Sequence, residues 1–516
     1  MLAAAGAVLT ALLAVLTAKR WQRASGFWAQ RGVPSHPPKA PHPVWGSLDQ
    51  LFRINLGFWM RDLYAKYRET SPYLGIWLFW RPALVINCPE LARNILLRDV
   101  DNFRDHFLGS SPSSDPTGGL NVFMLKDPQW TTVRRKLTPV FTSAKLRALE
   151  PLLKHTSNKK IGDCSTDESH TLKYMMMMTV FISFCLSQSL FSDFATDVIG
   201  AVAFDLQGEA TLTGESALRR VTHDFAHFTL WRGLSWTSIF FLPELVNVFR
   251  FSMFPRRTTR YFQTLFNAMV QKRMAEGVGT RGDLVDILLR MQIQLNTIFA
   301  ESPDDLMLAQ SVIFVQGGFD TSASASSFAV YELAHQPDLQ DKLYEELKET
   351  RERLGQDSFD LNTLSSLTYL NCVLKEAMRM YPPMGWLDRV CARDYVVDEK
   401  LSLPAGTPVY VNAIGMHYDE RYFPEPTRFD PDRFLPENEA MIPPYTYMPF
   451  GEGPRACIGK RLGLVTARAI LSALFLRFSV RPVPGGAPLP VPADKRGMFL
   501  MPGAPLHVQF IPRPAH

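Results

Sequence analysis

Between Leu306 and Tyr331 the chain runs 26 residues with a single charge, Asp320. A helix this apolar must be surrounded, either by a large core or by lipid. Ser302-Pro303-Asp304-Asp305 ahead of it reads as a helix start: a capping hydroxyl, a first-turn proline and two acids at the positive end. Gln310, Gln316 and five serines between residues 311 and 327 disfavour a membrane span. In a core, an ionised carboxylate is costly, so Asp320 needs a partner, a water chain or a proton. Gly317 and Gly318 stand just before it, each costing about 1 kcal/mol of helix propensity relative to alanine. The Thr321 hydroxyl can bond the carbonyl one turn back and bend the helix. The pattern predicts a distorted turn where water and a small ligand approach the backbone; a core helix with a satisfied acid is the other reading.

Burying such a helix takes a sizeable core, and 516 residues at 46% hydrophobic supply one and exclude disorder. Basic residues number 55 and acidic ones 50, with no long basic run, which excludes a dedicated nucleic-acid binder. The six cysteines show no C-x-x-C spacing, so a disulfide framework and a structural zinc site are poor readings. No internal repeat or linker divides the chain. The expected fold is mainly α with small β-sheets (α+β), as one large helical domain over residues 44–516. Strands are expected at Tyr73–Trp77, Ala83–Asn87, Val409–Ile414, Gly497–Met501 and Leu506–Ile511, and helices at Leu364–Tyr381 and Lys460–Phe475.

Residues 1–18 carry no charge and would span roughly 27 Å as a helix, near the lower limit for a bilayer core. Lys19, Arg20 and Arg23 follow, an arrangement that keeps the rest of the chain cytosolic. A retained anchor is favoured over a cleaved signal peptide, because no basic residue precedes the apolar run. Residues 19–43 then read as a basic stop and a stiff spacer, with five prolines between Pro34 and Pro43.

Two weaker signals sit downstream. Glu376 and Arg379, three apart, can share one face of the Leu364–Tyr381 helix. Pro431-Asp432-Arg433-Phe434 lies in proline-rich chain that needs side-chain ties, and Arg433 can supply one to Glu376. Phe450-Gly451-Glu452-Gly453-Pro454-Arg455-Ala456-Cys457-Ile458-Gly459 forms a turn-rich loop ahead of a helix. Glycines there let backbone approach a planar group, and backbone N–H groups can stabilise the Cys457 sulfur as thiolate. Arg455 can pair with an anionic group of a cofactor. The other five cysteines read as small buried hydrophobes.

The loop Phe450, Gly453, Arg455, Cys457, Gly459 resembles the haem-ligand signature of the cytochrome P450 superfamily. Before it, in the family's order, stand Trp130-x-x-x-Arg134, Gly317-Gly318-Phe319-Asp320-Thr321, Glu376-x-x-Arg379 and Pro431-Asp432-Arg433-Phe434. Phe450–Arg455 and Asp197-Val198-Ile199-Gly200 are most similar to microsomal enzymes of the insect family-6-like and vertebrate family-3 groups, the arthropod group being preferred.

The resemblance implies a haem-thiolate monooxygenase. It makes Cys457 the axial ligand of haem b, with Phe450 and Gly459 also among the haem-binding residues. Trp130, Arg134, Arg389 and Arg455 would hold the propionates, and Asp320 and Thr321 would deliver protons while O2 is consumed. Glu376, Arg379 and Arg433 would form a structural network. No flavin or nicotinamide motif occurs, so electrons would come from NADPH-cytochrome P450 reductase, with cytochrome b5 as a second donor. Arg134, Arg135, Lys136, Lys145, Lys460, Arg461 and Arg468 suit such docking. The substrate would be a lipophilic small molecule, either a xenobiotic or toxin or an endogenous lipid or hormone. The apolar stretch Gly233–Phe249 reads as core or as lipid contact, and the expected location is the endoplasmic reticulum membrane. A reductase-independent isomerase or dehydratase of the same family and a non-catalytic haem-binding protein are the alternatives.

Overall fold

The computed structural model describes residues 18–514 except 39–40, 52, 142–184, 205, 207, 209, 214, 227, 278–283, 296–302 and 356–358. The expected anchor over 1–18 lies, but for Ala18, outside the described residues, as do Ser302 and Lys145. Among the described residues no helix is long and apolar enough to cross a membrane. The longer helices are, in chain order, α1 Leu56–Tyr67, α2 Gln129–Leu137, α3 Ser187–Phe204, α4 Ala217–Ala226, α5 Leu230–Phe241, α6 Glu244–Phe249, α7 Arg256–Glu276, α8 Leu284–Leu295, α9 Pro303–Ala334, α10 Pro337–Leu354, α11 Leu361–Ser366, α12 Thr368–Met380 and α13 Lys460–Phe475.

The apolar run with its single charge lies within α9, a helix of 32 residues that crosses the core against α3, α12 and α13. Gln310 takes up its polarity by side-chain bonds: Nε2 donates to Leu120 O at 2.7 Å, and Oε1 accepts from Val122 N at 2.8 Å. The distorted turn expected at Gly317–Thr321 is absent, and the helix runs through it. Packing explains the second glycine. A Cβ on Gly318 would meet Ile199 Cδ1 of α3 at 2.8 Å, whereas one on Gly317 meets nothing within 4 Å.

Beside the helices lie small sheets. β1 (Tyr73–Leu78) and β2 (Arg81–Ile86) form an antiparallel pair with Tyr73 opposite Ile86. β3 (Cys185–Leu186), β4 (Leu387–Val390), β5 (Tyr395–Val396), β6 (Ser402–Leu403), β7 (Pro408–Val411), β8 (Phe478–Pro482) and β9 (His507–Pro512) follow. The strand orders are β1-β2-β7-β4, β3-β9-β8 and β5-β6. The proline-rich segment begins on the first sheet. Val33 is buried, His36 N donates to Gly75 O at 2.9 Å, and Trp28 packs so close to Gly75 that any Cβ there would clash.

Three expected elements differ. Gly497–Met501 is not a strand, because Asn55 Nδ2 reaches the carbonyls of Asp494, Gly497 and Phe499 and satisfies them without a ladder. The strand near Val409 stops at Val411, where Asn412 caps a one-turn helix, Ala413–His417. Leu364–Tyr381 is two helices, parted at Leu367. The second starts afresh on the Glu346 carboxylate of α10, which accepts Tyr369 N at 2.7 Å and Leu370 N at 2.9 Å.

Candidate active site

The loop before α13 is shaped by two left-handed glycines, Gly451 (φ 68°) and Gly453 (φ 75°). A Cβ on Gly453 would lie 2.0 Å from Leu96 O, so no other residue fits there. Cys457 N donates to Phe450 O at 2.9 Å and Ala456 N to Gly453 O at 3.0 Å, which turns the chain back on itself. Gly459 caps α13 with an ordinary negative φ, and a Cβ on it would come 4.0 Å from Cys457 Sγ. Cys457 is exposed as a residue, yet protein crowds its sulfur. That burial pushes the thiol up, while the Gly459 and Lys460 N–H groups and the Arg134 and Lys460 charges favour thiolate.

α2 reaches the loop from one side. Trp130 and Arg134, four apart, share a face. Arg134 Nη2 donates to Ala456 O at 2.7 Å, and Trp130 is buried with the Arg455 guanidinium 3.9 Å from its ring centre. Arg455 also donates from Nη2 to Asp105 Oδ1 at 2.9 Å and Leu125 O at 3.0 Å, and from Nε to Arg104 O at 2.8 Å. Arg389 on β4 lies close enough to repel it. Burial pulls Arg389 down to about 10 and Arg455 to about 9. Arg389 Nη1 donates to Asp388 O at 2.7 Å. Arg389 Nε and Arg455 Nη1 are buried with no hydrogen-bond partner among the described residues. Buried cationic donors without acceptors are costly, and carboxylates of a ligand would satisfy them.

Sequence reasoning missed the residues behind these arginines. Asp105 holds Arg455, and Asp388 accepts from His106 Nδ1 at 2.9 Å and Phe107 N at 2.7 Å. Lys126, pulled down by burial to about 8, donates to Leu108 O at 2.7 Å and to His106 O. Their only sequence signal is proximity to predicted residues, as with Asp388 beside Arg389.

α9 passes beside the helix that follows the loop. A Cβ on Gly463 of α13 would sit 3.5 Å from Ser322 Oγ, so the helix that follows Cys457 packs beside Thr321. Thr321 Oγ1 donates to Gly317 O at 2.7 Å. Burial pushes the Asp320 carboxyl up to about 6, opposed by the charge of Arg219, which itself pairs with Asp193 of α3.

The third group is wholly interior. Arg379 meets Glu376 through Nε at 2.7 Å and Nη2 at 2.8 Å, with both side chains fully buried. Arg433 Nε lies 3.4 Å from Glu376 Oε1, which also accepts Asp430 N at 2.9 Å. Of the proposed docking residues, Arg468 is committed internally, to Asn371 Oδ1 at 2.7 Å and Ser365 Oγ at 3.4 Å.

The region thus brings together a cysteine just ahead of a helix start and two arginines with buried donors to spare. The cytochrome P450 family profile matches residues 35–510, and the chain belongs to that family. It is similar to insect family-6 enzymes. "Probable cytochrome P450 6g2" of Drosophila melanogaster is 34% identical over 477 residues, covering 89% of this chain and 90% of that one. "Cytochrome P450 6l1" of Blattella germanica is 30% identical over 510 residues, covering 98% and 96%. The protein is therefore a P450 monooxygenase, and haem on a cysteine thiolate with O2 as co-substrate belongs to that class.

Proposed function

We infer that Cys457 is the haem ligand and that the enzyme inserts one atom of O2 into a lipophilic small molecule, a xenobiotic or toxin or an endogenous lipid or hormone. The observation that carries this is the pair of unpartnered buried donors, Arg389 Nε and Arg455 Nη1, in one arginine cluster beside the Cys457 loop. Trp130 orients Arg455 by stacking, and Asp105 fixes its opposite edge. Bound there, haem supplies the activation of O2 that lets one oxygen atom enter a C–H bond. Asp320, whose carboxyl burial raises toward neutral pH, can take up and pass on a proton, and Thr321 keeps its hydroxyl on the Gly317 carbonyl until a proton is needed. The buried Glu376–Arg379 pair and Arg433 hold the segment after Pro424 in place.

Electrons come from NADPH through cytochrome P450 reductase, with cytochrome b5 as a second donor. The docking face is Arg135 and Lys136 on α2 with Lys460 and Arg461 on α13, since Arg134, like Arg468, is bonded within the chain. Residues 1–18 anchor the chain in the endoplasmic reticulum membrane, 19–43 are its basic stop and spacer, and the 44–516 body is cytosolic. An exposed apolar surface supports the membrane reading: Leu230 (75%) and Trp231 of α5, Val248 (69%) and Phe249 of α6, and Val44 and Trp45 before the first sheet. Arg81 on β2 pairs with Glu244 at the start of α6, joining the two parts, and Arg20 lies over Trp80 in the same hairpin. Reduced protein should give a thiolate-type carbon monoxide band, and added reductase should make NADPH consumption substrate-dependent. Absence of the band would overturn the assignment.

A further inference from the structure

A fully buried histidine, His417, joins the interior ion network to the chain that leads into the cysteine loop. It ends the one-turn helix Ala413–His417. Its Nε2 lies 2.9 Å from Met448 N, and its Nδ1 lies 3.1 Å from Arg379 O. A backbone N–H can only donate, so Nε2 carries the lone pair and Nδ1 the proton, donated to the Arg379 carbonyl. One tautomer alone satisfies both contacts. Arg379 Nη1 returns a bond to His417 O at 2.8 Å. The Tyr447 ring lies 5.4 Å from the imidazole, closing the other side. Burial and the Arg379 charge hold the ring neutral, with its pKa drawn down to about 3.

From Met448 the connection continues into the loop. Gly451 N donates to Met448 O at 3.1 Å, and Cys457 N to Phe450 O at 2.9 Å. An unbroken path thus runs from Glu376 through Arg379, His417 and Met448 to the backbone of Cys457. The 443–449 segment has no helix or strand of its own, so its course depends on such side-chain ties.

We propose that His417 is a positioning residue for the thiolate: its Nε2 acceptor holds Met448 and through it sets where the Cys457 loop stands. This rests on Cys457 being the haem ligand. Glutamine places a carbonyl oxygen near the position of Nε2 and keeps an acceptor for Met448 N–H, whereas asparagine reaches only as far as Nδ1. Each substitution sacrifices one of the two bonds, so global stability falls similarly while the loop is released in one case alone.

The test uses full-length holoprotein with H417Q, H417N and C457S, following the thiolate-type carbon monoxide band over time together with the urea midpoint. H417N should lose the band about tenfold faster than wild type, the equivalent of one buried hydrogen bond, and H417Q should stay within about twofold at a similar midpoint. If H417N keeps the band as long as wild type, or if H417Q loses the band as readily as H417N, the inference is overturned. A wild type without the band, or a C457S that retains it, would instead overturn the assignment of Cys457.

Discussion

Arg455 of the cysteine loop lies against Trp130 of α2, its guanidinium carbon 3.9 Å from the ring centre. The contact lets one cation serve two ends: Nη2 holds Asp105, and Nη1 is left over in the interior. Lysine has neither the planar fork nor the stacking face, so the exchange is not conservative here. R455K should retain the fold and lose haem, and D105N should do so more mildly. The haem-to-protein ratio of the purified variants reads this directly. Full haem occupancy in R455K would remove Arg455 from the binding role.

Glu376 and Arg379 should show the largest stability effects. Removing one partner of a fully buried ion pair leaves the other uncompensated and costs about 3–5 kcal/mol. E376A is expected at that level by urea denaturation. R433A, whose longer 3.4 Å contact is only one of several on Glu376, should cost about 1–2 kcal/mol.

Asp320 sets a trade of stability against function. Its folded pKa of about 6 lies above the ordinary carboxylate value, so the folded state binds this proton more tightly than the unfolded chain. The stabilising contribution is present in full below about pH 4 and fades as pH rises through 6. D320N should therefore be more stable than wild type at pH 8 by up to roughly 3 kcal/mol, less the part that solvent screens at this half-buried carboxyl, and equal to it near pH 4. The same variant should turn over more slowly. Equal stability at both pH values would show that Asp320 is not held neutral by its surroundings.

The adjacent glycines should respond in opposite ways. Alanine at 317 meets no protein atom within 4 Å and gains helix propensity, so G317A should be stabilised by up to about 1 kcal/mol. Alanine at 318 comes within 2.8 Å of Ile199 Cδ1 and 2.9 Å of Cγ1, so the Ile199 side chain on α3 must shift, with a cost of about 1–3 kcal/mol. Thermal midpoints of the two variants decide this. A similar shift in both would mean that the Ile199 side chain gives way freely.

The sequence by itself determined the long helix, the Lys460–Phe475 helix, the first strand pair and the order of the motifs. These follow from local causes: hydrophobic period, capping residues and turn glycines act within a few residues of where they are read. Gly453 is such a case, since the turn demands a left-handed residue and the Leu96 carbonyl admits no side chain. Tertiary structure alone decided what distant chain does to these elements. Glu346 breaks the predicted Leu364–Tyr381 helix in two, and Asn55 takes the carbonyls that the Gly497–Met501 segment would have offered to a strand. Asp105, Asp388, Lys126 and His417 carry no local pattern, because their partners lie far away in the chain. Buried polar groups must find those partners wherever the fold brings them, and that requirement leaves no periodic trace in the sequence.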